Sequence, residues 1–209
     1  EDEAIKTSVF AELDKVLVEP GGVIASATSS IPISTLGAAT SDPGRVIGLH
    51  FFHPVPMLPL VELVTTPATA DSTAERAEAF AHDVLGKQVI RSADRSGFIV
   101  NSLLVPYLLA AIRMVESGVA SAEDIDKGMV LGCAHPIGPL RLADLVGLDT
   151  VKTIADGMHR EFSEPLYAPP PLLVDMVDAG RLGKKSGQGF HRYAHDPIDA
   201  LQAAGDGAG

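Results

Sequence analysis

The sequence predicts an α/β domain, its sheet parallel at least in part, followed by an all-helical domain. Two observations predict it. Helix-like and strand-like hydrophobic periods alternate over residues 4–91. Strands separated by helices are the mark of an α/β sheet. From Gly97 onward nearly all of the pattern is helical, broken by Gly and Pro. The division falls within 93–96, which gives expected domains at 1–95 and 96–193, with 194–209, rich in Ala, Gly and Asp, as a flexible tail.

The elements follow in order. Ile5, Val9, Leu13, Val16 and Leu17 recur at helical spacing over 4–17, and Glu19-Pro20-Gly21-Gly22 is turn chemistry that stops the helix. Gly22 to Ser26 reads as a short, fully buried strand, and Ile33 to Thr40 as a short helix with Ser34 as a cap. Ser41-Asp42-Pro43-Gly44 is a turn before a second strand, Arg45 to Phe52. A bend through His53-Pro54-Val55-Pro56 leads to a third strand, Leu60 to Val64. Asp71 opens an amphipathic helix with Glu75 and Glu78 in its early turns, where negative charge is favoured. Gly86 stops it before a fourth strand, Lys87 to Arg91. Phe98 to Glu116 is one long apolar helix that Pro106 should kink, and Ser121 with Asp124 opens another.

Composition excludes several function classes. Sixteen Lys and Arg against 27 Asp and Glu leave a formal net charge of −11, whereas a nucleic-acid partner calls for a basic stripe. The single cysteine, Cys133, allows neither an intrachain disulfide nor a cysteine-rich zinc site; it reads as a small buried apolar residue, and the expected setting is cytoplasmic. The longest apolar run, Gly97 to Val115, holds Asn101, Ser102, Pro106 and Arg113 and is expected to be a buried helix and not a membrane span. Glu1 is not a Met, so it is not expected to be the natural start, and the acidic first residues are no signal peptide.

Familiar motifs fail. There is no G-x-G-x-x-G: Gly187-Gln188-Gly189 is followed three residues later by Arg192. Gly183-Lys184-Lys185-Ser186 resembles the end of a phosphate loop, but Asp178 stands where the first Gly is needed and Lys185 where Ser or Thr is. His50 and His53 would point to opposite faces of a strand, and His191 and His195 lie in a stretch with no helix signal, so no metal is expected at either pair.

One constellation remains. Glu62 lies in an apolar strand, where a carboxylate is costly to bury without a partner, and His50 closes another. The two prolines between them can bring the pair together. A Glu accepting from one ring nitrogen fixes the imidazole tautomer and leaves the other nitrogen to take or give a proton. The alternative is a buried pair with a structural role only. Ser29 stands just past the first strand, where open α/β sheets place ligands, or else in an ordinary polar turn. Asn101, beside Phe98, Leu104 and Val105, needs hydrogen-bond partners, either a ligand or a packing contact.

Five separated segments then carry a family resemblance: Ser26-Ala27-Thr28-Ser29-Ser30, Gly48 to Pro56, Leu60-Val61-Glu62, Gly97-Phe98-Ile99-Val100-Asn101 and Gly183 to Phe190. In order and spacing the chain resembles the 3-hydroxyacyl-CoA dehydrogenases over residues 1 to about 193, and is most like the 3-hydroxybutyryl-CoA type. The resemblance implies the C-terminal part of a Rossmann-like NAD-binding domain, followed by a helical domain for substrate contacts and homodimerisation. It implies His50 as catalytic base, Glu62 as its orienting carboxylate, and Ser29 and Asn101 as substrate contacts. It further implies Glu1, Lys6 and Lys185 as cofactor contacts, NAD (or NADP) as cofactor, an acyl-CoA substrate and a role in fatty acid β-oxidation. Ala27, His53 and Ser96 depart from the Asn, Asn and Pro common in the family; none removes a catalytic group. The family's Gly-rich loop and first strands would all precede Glu1. The main reading is therefore an enzyme, and the alternative is a truncated, inactive remnant that dimerises or binds acyl-CoA without turnover.

Overall fold

A computed structural model describes residues 2–17, 19 and 21–193. The expected tail and the cofactor contact at Glu1 lie outside the described residues, as does His195. Two compact units divide at Ser102 and Leu103.

The first unit is built on a four-stranded sheet in the order β1 (Ile24–Ser26), β2 (Val46–Phe51), β3 (Leu60–Thr65), β4 (Gln88–Ala93). β1 and β2 are parallel, β2 and β3 antiparallel, β3 and β4 parallel. Successive residues of a strand face opposite sides, and that alternation sorts β2 and β3 into two cores. Ile47, Leu49, Val61 and Leu63 pack with Ala74, Ala77 and Ala81, on the helix α3 (Asp71–Ala79) and the π-helical turn Phe80–Val84 that continues it. Val46 and Val64 pack on the other side with Phe10, Ile24, Ile33, Leu36 and Phe98. His50 and Glu62 share this second face. So does Gly48, where a Cβ would come within 2.8 Å of Val64 Cβ and 3.0 Å of Ile33 Cδ1; the missing side chain lets α2 (Ile33–Gly37) sit close to the sheet.

In this unit the first expected helix forms with its apolar stripe uncovered, and two expectations are corrected. The helix α1 (Glu3–Val16) forms, capped by Asp2 accepting from the Ile5 N–H at 2.9 Å, but it buries Phe10. The periodic residues Ile5, Val9, Leu13 and Val16 are exposed, because period identifies a helix and not what covers it. β1 is not fully buried: Ala25 is exposed, facing a groove beside α1. Ser34 does not cap α2. The N–H groups of Ile33 and Ser34 are instead received by the carboxylate of Asp94, both at 2.8 Å.

In the second unit α4 (Val100–Glu116) continues from its first turn, followed by α5 (Ala122–Cys133), α6 (Pro139–Val146), α7 (Leu148–Phe162) and α8 (Pro171–Asp178). Leu108, Leu109, Ile112, Leu140, Leu148, Met158 and Leu173 form its core. Ser121 caps α5, accepting from the Asp124 N–H at 3.1 Å. Cys133 is exposed and not buried as expected: α5 buries Ala122, Ile125 and Asp126 in its early turns, and Cys133 falls in its last. The segment 183–193 folds back on α6, where Asp144 accepts from the N–H groups of Phe190 and His191 and from the Tyr193 hydroxyl. Burial, with the Asp144 charge, pushes the Tyr193 phenol well above its usual range. Gly183 at φ +97 leaves no room for a side chain, because a Cβ there would run into the Asp144 carbonyl oxygen, so the packing against α6 requires glycine at this position. Among the described residues no helix is long and apolar enough to cross a membrane.

Candidate active site

The antiparallel register sets His50 directly opposite Glu62 on one face of the sheet. Their side chains meet, with His50 Nδ1 and Glu62 Oε2 2.7 Å apart. Both are buried, Glu62 completely. A carboxylate is seldom buried so fully unless its acceptor sites are filled, and here they are. Glu62 Oε1 accepts from the backbone N–H groups of Ile99, at 3.0 Å, and Val100, at 2.9 Å. In the tautomer with the imidazole proton on Nδ1, Glu62 Oε2 accepts it and Nε2 carries the lone pair.

Ser29, in the loop after β1, answers that lone pair: its Oγ lies 2.9 Å from His50 Nε2, and the hydroxyl is the donor in this tautomer. The loop is held by its own side chains, with Thr28 Oγ1 accepting from the Ile31 N–H at 2.9 Å and the Ser30 N–H at 3.3 Å. Phe52 and Phe98 border the ring, at centroid distances of 4.8 Å and 5.2 Å. The polar line Glu62–His50–Ser29 is thus bordered by aromatic side chains, with Nε2 facing the Ser29 hydroxyl. Asn101 stands in the first turn of α4, one residue beyond Val100, and is buried. It makes no hydrogen bond within the described residues to the Glu62–His50–Ser29 line.

Several groups at this site carry no sequence signal. The Ile99 and Val100 N–H groups are main-chain donors, presented by a turn in which Gly97 (φ +80) and Phe98 (φ +46) both take left-handed backbone. The hint was Glu62 itself, since one imidazole cannot satisfy a buried carboxylate. Lys87, also buried, donates its ammonium to the carbonyl oxygens of Val55, at 2.5 Å, and Leu58, at 2.8 Å, tying down the loop between β2 and β3.

A groove of about 470 Å³ lies between α1 and the carboxyl end of β1, lined by Asp2, Ile5, Lys6, Val9, Phe10 and Ala25 to Ala27. A largely apolar lining that also holds the Lys6 ammonium and the Asp2 carboxylate suits a flat ring carried on a ribose phosphate, so these residues fit the nicotinamide end of a dinucleotide. Lys185 lies in the second unit, where its ammonium is paired with Asp149 at 2.6 Å. His50 and His53 do not share a site: His50 is buried in β2, and His53 is exposed beyond its end. Among the described residues no group of three or more His, Cys, Asp or Glu is arranged to hold a metal ion.

Two family models cover the chain. The 3-hydroxyacyl-CoA dehydrogenase NAD binding domain matches residues 1–95, and the 3-hydroxyacyl-CoA dehydrogenase C-terminal domain matches residues 97–193. The 3-hydroxybutyryl-CoA dehydrogenase of Mycobacterium tuberculosis is 65% identical over 193 residues, which are 92% of this chain and 68% of that protein. The mitochondrial hydroxyacyl-coenzyme A dehydrogenase of Homo sapiens is 47% identical over 190 residues, 90% of this chain and 60% of that one. The crystal structure of M. tuberculosis FadB2 superposes with a TM-score of 0.91 at 65% identity, covering 93% of this chain and 68% of the other. A buried His–Glu pair on a Rossmann-like sheet, a groove fit for nicotinamide, a helical second unit and matches along nearly all of the chain agree: it belongs to the 3-hydroxyacyl-CoA dehydrogenase family.

Proposed function

We propose that the chain catalyses reversible oxidation of a 3-hydroxyacyl-CoA to the 3-ketoacyl-CoA, with His50 as acid and base. The chain is an NAD-dependent oxidoreductase, nearest in type to the 3-hydroxybutyryl-CoA dehydrogenases. One observation carries the role of His50: its Nδ1 is fixed on a buried carboxylate at 2.7 Å while its Nε2 faces a hydroxyl at 2.9 Å.

Removing hydride from C3 of the substrate requires that the 3-hydroxyl lose its proton, and a positioned base contributes roughly 10²–10⁴-fold to such a step. In this reading the substrate hydroxyl stands beside Ser29 Oγ and passes its proton to His50 Nε2. The imidazolium that forms is then bonded through Nδ1 to Glu62, so the new charge has a counter-charge at hydrogen-bond distance. In the reverse direction His50 returns the proton to the forming alkoxide. Ser29 holds the 3-oxygen against the imidazole, and Asn101 offers its carboxamide from the first turn of α4. Such positioning matters because transfer needs near-contact geometry. Bound NAD supplies the hydride acceptor; Lys6 and the groove beside α1 would hold its nicotinamide end, with Glu1 and Lys185 as further contacts.

The test is NADH oxidation with acetoacetyl-CoA. The protein turns over, and His50→Asn loses roughly 10²–10⁴-fold in kcat while NADH binding is unchanged. Acetoacetyl-CoA binding without turnover would make the protein the inactive remnant, and a near-normal kcat in His50→Asn would remove the base.

The finer reading places the chain in fatty acid β-oxidation in the cytoplasm, divided functionally at 95/96, as a homodimer through the helical domain. Leu103, Leu131 and Leu145, on α4, α5 and α6, are 73%, 74% and 58% exposed and are apolar side chains that such an interface would cover. Light scattering tests it, and a monomer at assay concentration would overturn it.

A further inference from the structure

We infer that Asp94 is a positioning residue that holds both hydrogen-bond partners of the His50 imidazole in register. The inference rests on reading His50 as the acid–base group and names a residue outside that reading.

Asp94 directly follows β4, and its own N–H donates to the Thr65 carbonyl at 3.1 Å, so its backbone is fastened to the end of β3, the strand that carries Glu62. Its side chain reaches elsewhere. Oδ1 accepts from the Ile33 N–H and Oδ2 from the Ser34 N–H, each at 2.8 Å, across sixty-one and sixty positions of sequence. A helix start is ordinarily capped by its own N-cap side chain. Here the N-cap is Pro32, which has no such group, and Ser34 is not used. The cap is supplied by a remote strand end, which makes it a tie between two parts of the sheet unit.

What it ties is the site. The arc from Ser29 to Pro32 is pinned at one end by Thr28, through the Ile31 N–H, and at the other by Asp94, through Ile33. Its position decides where Ser29 Oγ stands relative to His50 Nε2. On the other side, the turn that begins at Asp94 runs through Arg95, whose carbonyl accepts from the Phe98 N–H at 3.0 Å, to the two N–H groups that hold Glu62. Phe98 and Ile33 belong to one core cluster, so both arms are anchored in the same core. Asp94 is therefore where the segment that presents the Nε2 partner and the turn that holds the Nδ1 partner of one imidazole are joined. A cap that served α2 alone would touch stability and leave the ring unaffected.

The experiment compares Asp94→Ala and Asp94→Asn with the wild type in the full chain. It measures kcat, KM and NADH affinity, together with the ring signals of His50 by NMR without substrate. Asp94→Ala lowers kcat roughly 10- to 100-fold, the cost expected of a displacement near 1 Å. NADH affinity is unchanged and the His50 Nδ1–H signal moves. Asp94→Asn keeps one acceptor oxygen and recovers part of both effects. If kcat and the His50 signal match the wild type in either variant, whatever the melting temperature, Asp94 is only a helix cap and the inference falls. Should Asp94→Ala not fold, Asp94→Asn decides alone on the same two readouts. The NMR arm needs no turnover, so failure of the acid–base reading, seen as an active His50→Asn, is distinguishable from failure of the Asp94 assignment.

Discussion

Glu62 Oε1 lies 2.9 Å from the backbone nitrogen of Val100, the first residue of α4. The carboxylate that orients His50 is thus also the cap of a helix. The arrangement is favourable twice over, because a helix start leaves N–H donors to be satisfied and carries partial positive charge. It lets a strand in the middle of the sheet hold a fully buried carboxyl group with both of its oxygens partnered.

Glu62→Gln tests this double duty. The amide keeps the size of the carboxylate but offers one acceptor oxygen for two sets of donors, so its NH₂ must face either His50 Nδ1–H or the N–H groups of Ile99 and Val100. Either choice loses a charge-assisted hydrogen bond, and the expected destabilisation is about 1.5–3 kcal/mol. Activity falls as well, because the tautomer of His50 is no longer fixed. Denaturant melts and kcat on one preparation check it; a variant with normal kcat and normal stability would contradict both roles.

Much of this site was legible in the sequence, for physical reasons. An ionisable residue in an apolar strand advertises a need for a partner, and His50 and Glu62 were the two that did so. Their exact opposition came from an antiparallel pairing of β2 with β3 in an otherwise parallel sheet. What stayed hidden had no side-chain signature or no local one. The donors of Ile99 and Val100 are main chain, and the left-handed Phe98 that presents them is a residue type that rarely takes such a conformation. Asp94 caps a helix sixty positions away, so the nearby Ser34 looked the better choice. The stripe on α1 and the exposure of Cys133 show the same limit: a hydrophobic period says which residues share a face, and not whether anything covers it.

Gly48 makes a prediction about the strand that carries His50. It lies two residues before His50 on the same face, and a Cβ there would meet Val64 Cβ at 2.8 Å. Val64 is fully buried and its Cβ cannot swing aside. Gly48→Ala should therefore overpack the core and cost about 1–3 kcal/mol. It should also lower kcat, because relief requires β2 or β3 to move and both carry the pair. Urea unfolding with parallel kinetics checks this. An unchanged midpoint would mean the strands part without cost.

The second unit gives a prediction in pH. Asp149 sits in the first turn of α7 with the Lys185 ammonium 2.6 Å from its carboxylate. Burial acts to raise its pKa, but the Lys185 hydrogen bond and the Thr150 N–H outweigh burial and hold the carboxyl below its ordinary value. A carboxyl depressed in the folded state adds stability that is present above its unfolded pKa, about 3.9, and is lost as pH falls through the folded value. Both side chains are more than a third exposed, so the contribution is that of a surface pair, about 0.2–1 kcal/mol. Asp149→Asn should melt lower than wild type at pH 6, and the gap should close towards pH 3. It should also narrow in high salt, which screens exposed pairs. Thermal melts from pH 3 to 6 decide the matter: a gap that stays constant with pH would show that Asp149 stabilises α7 through packing and not through its charge.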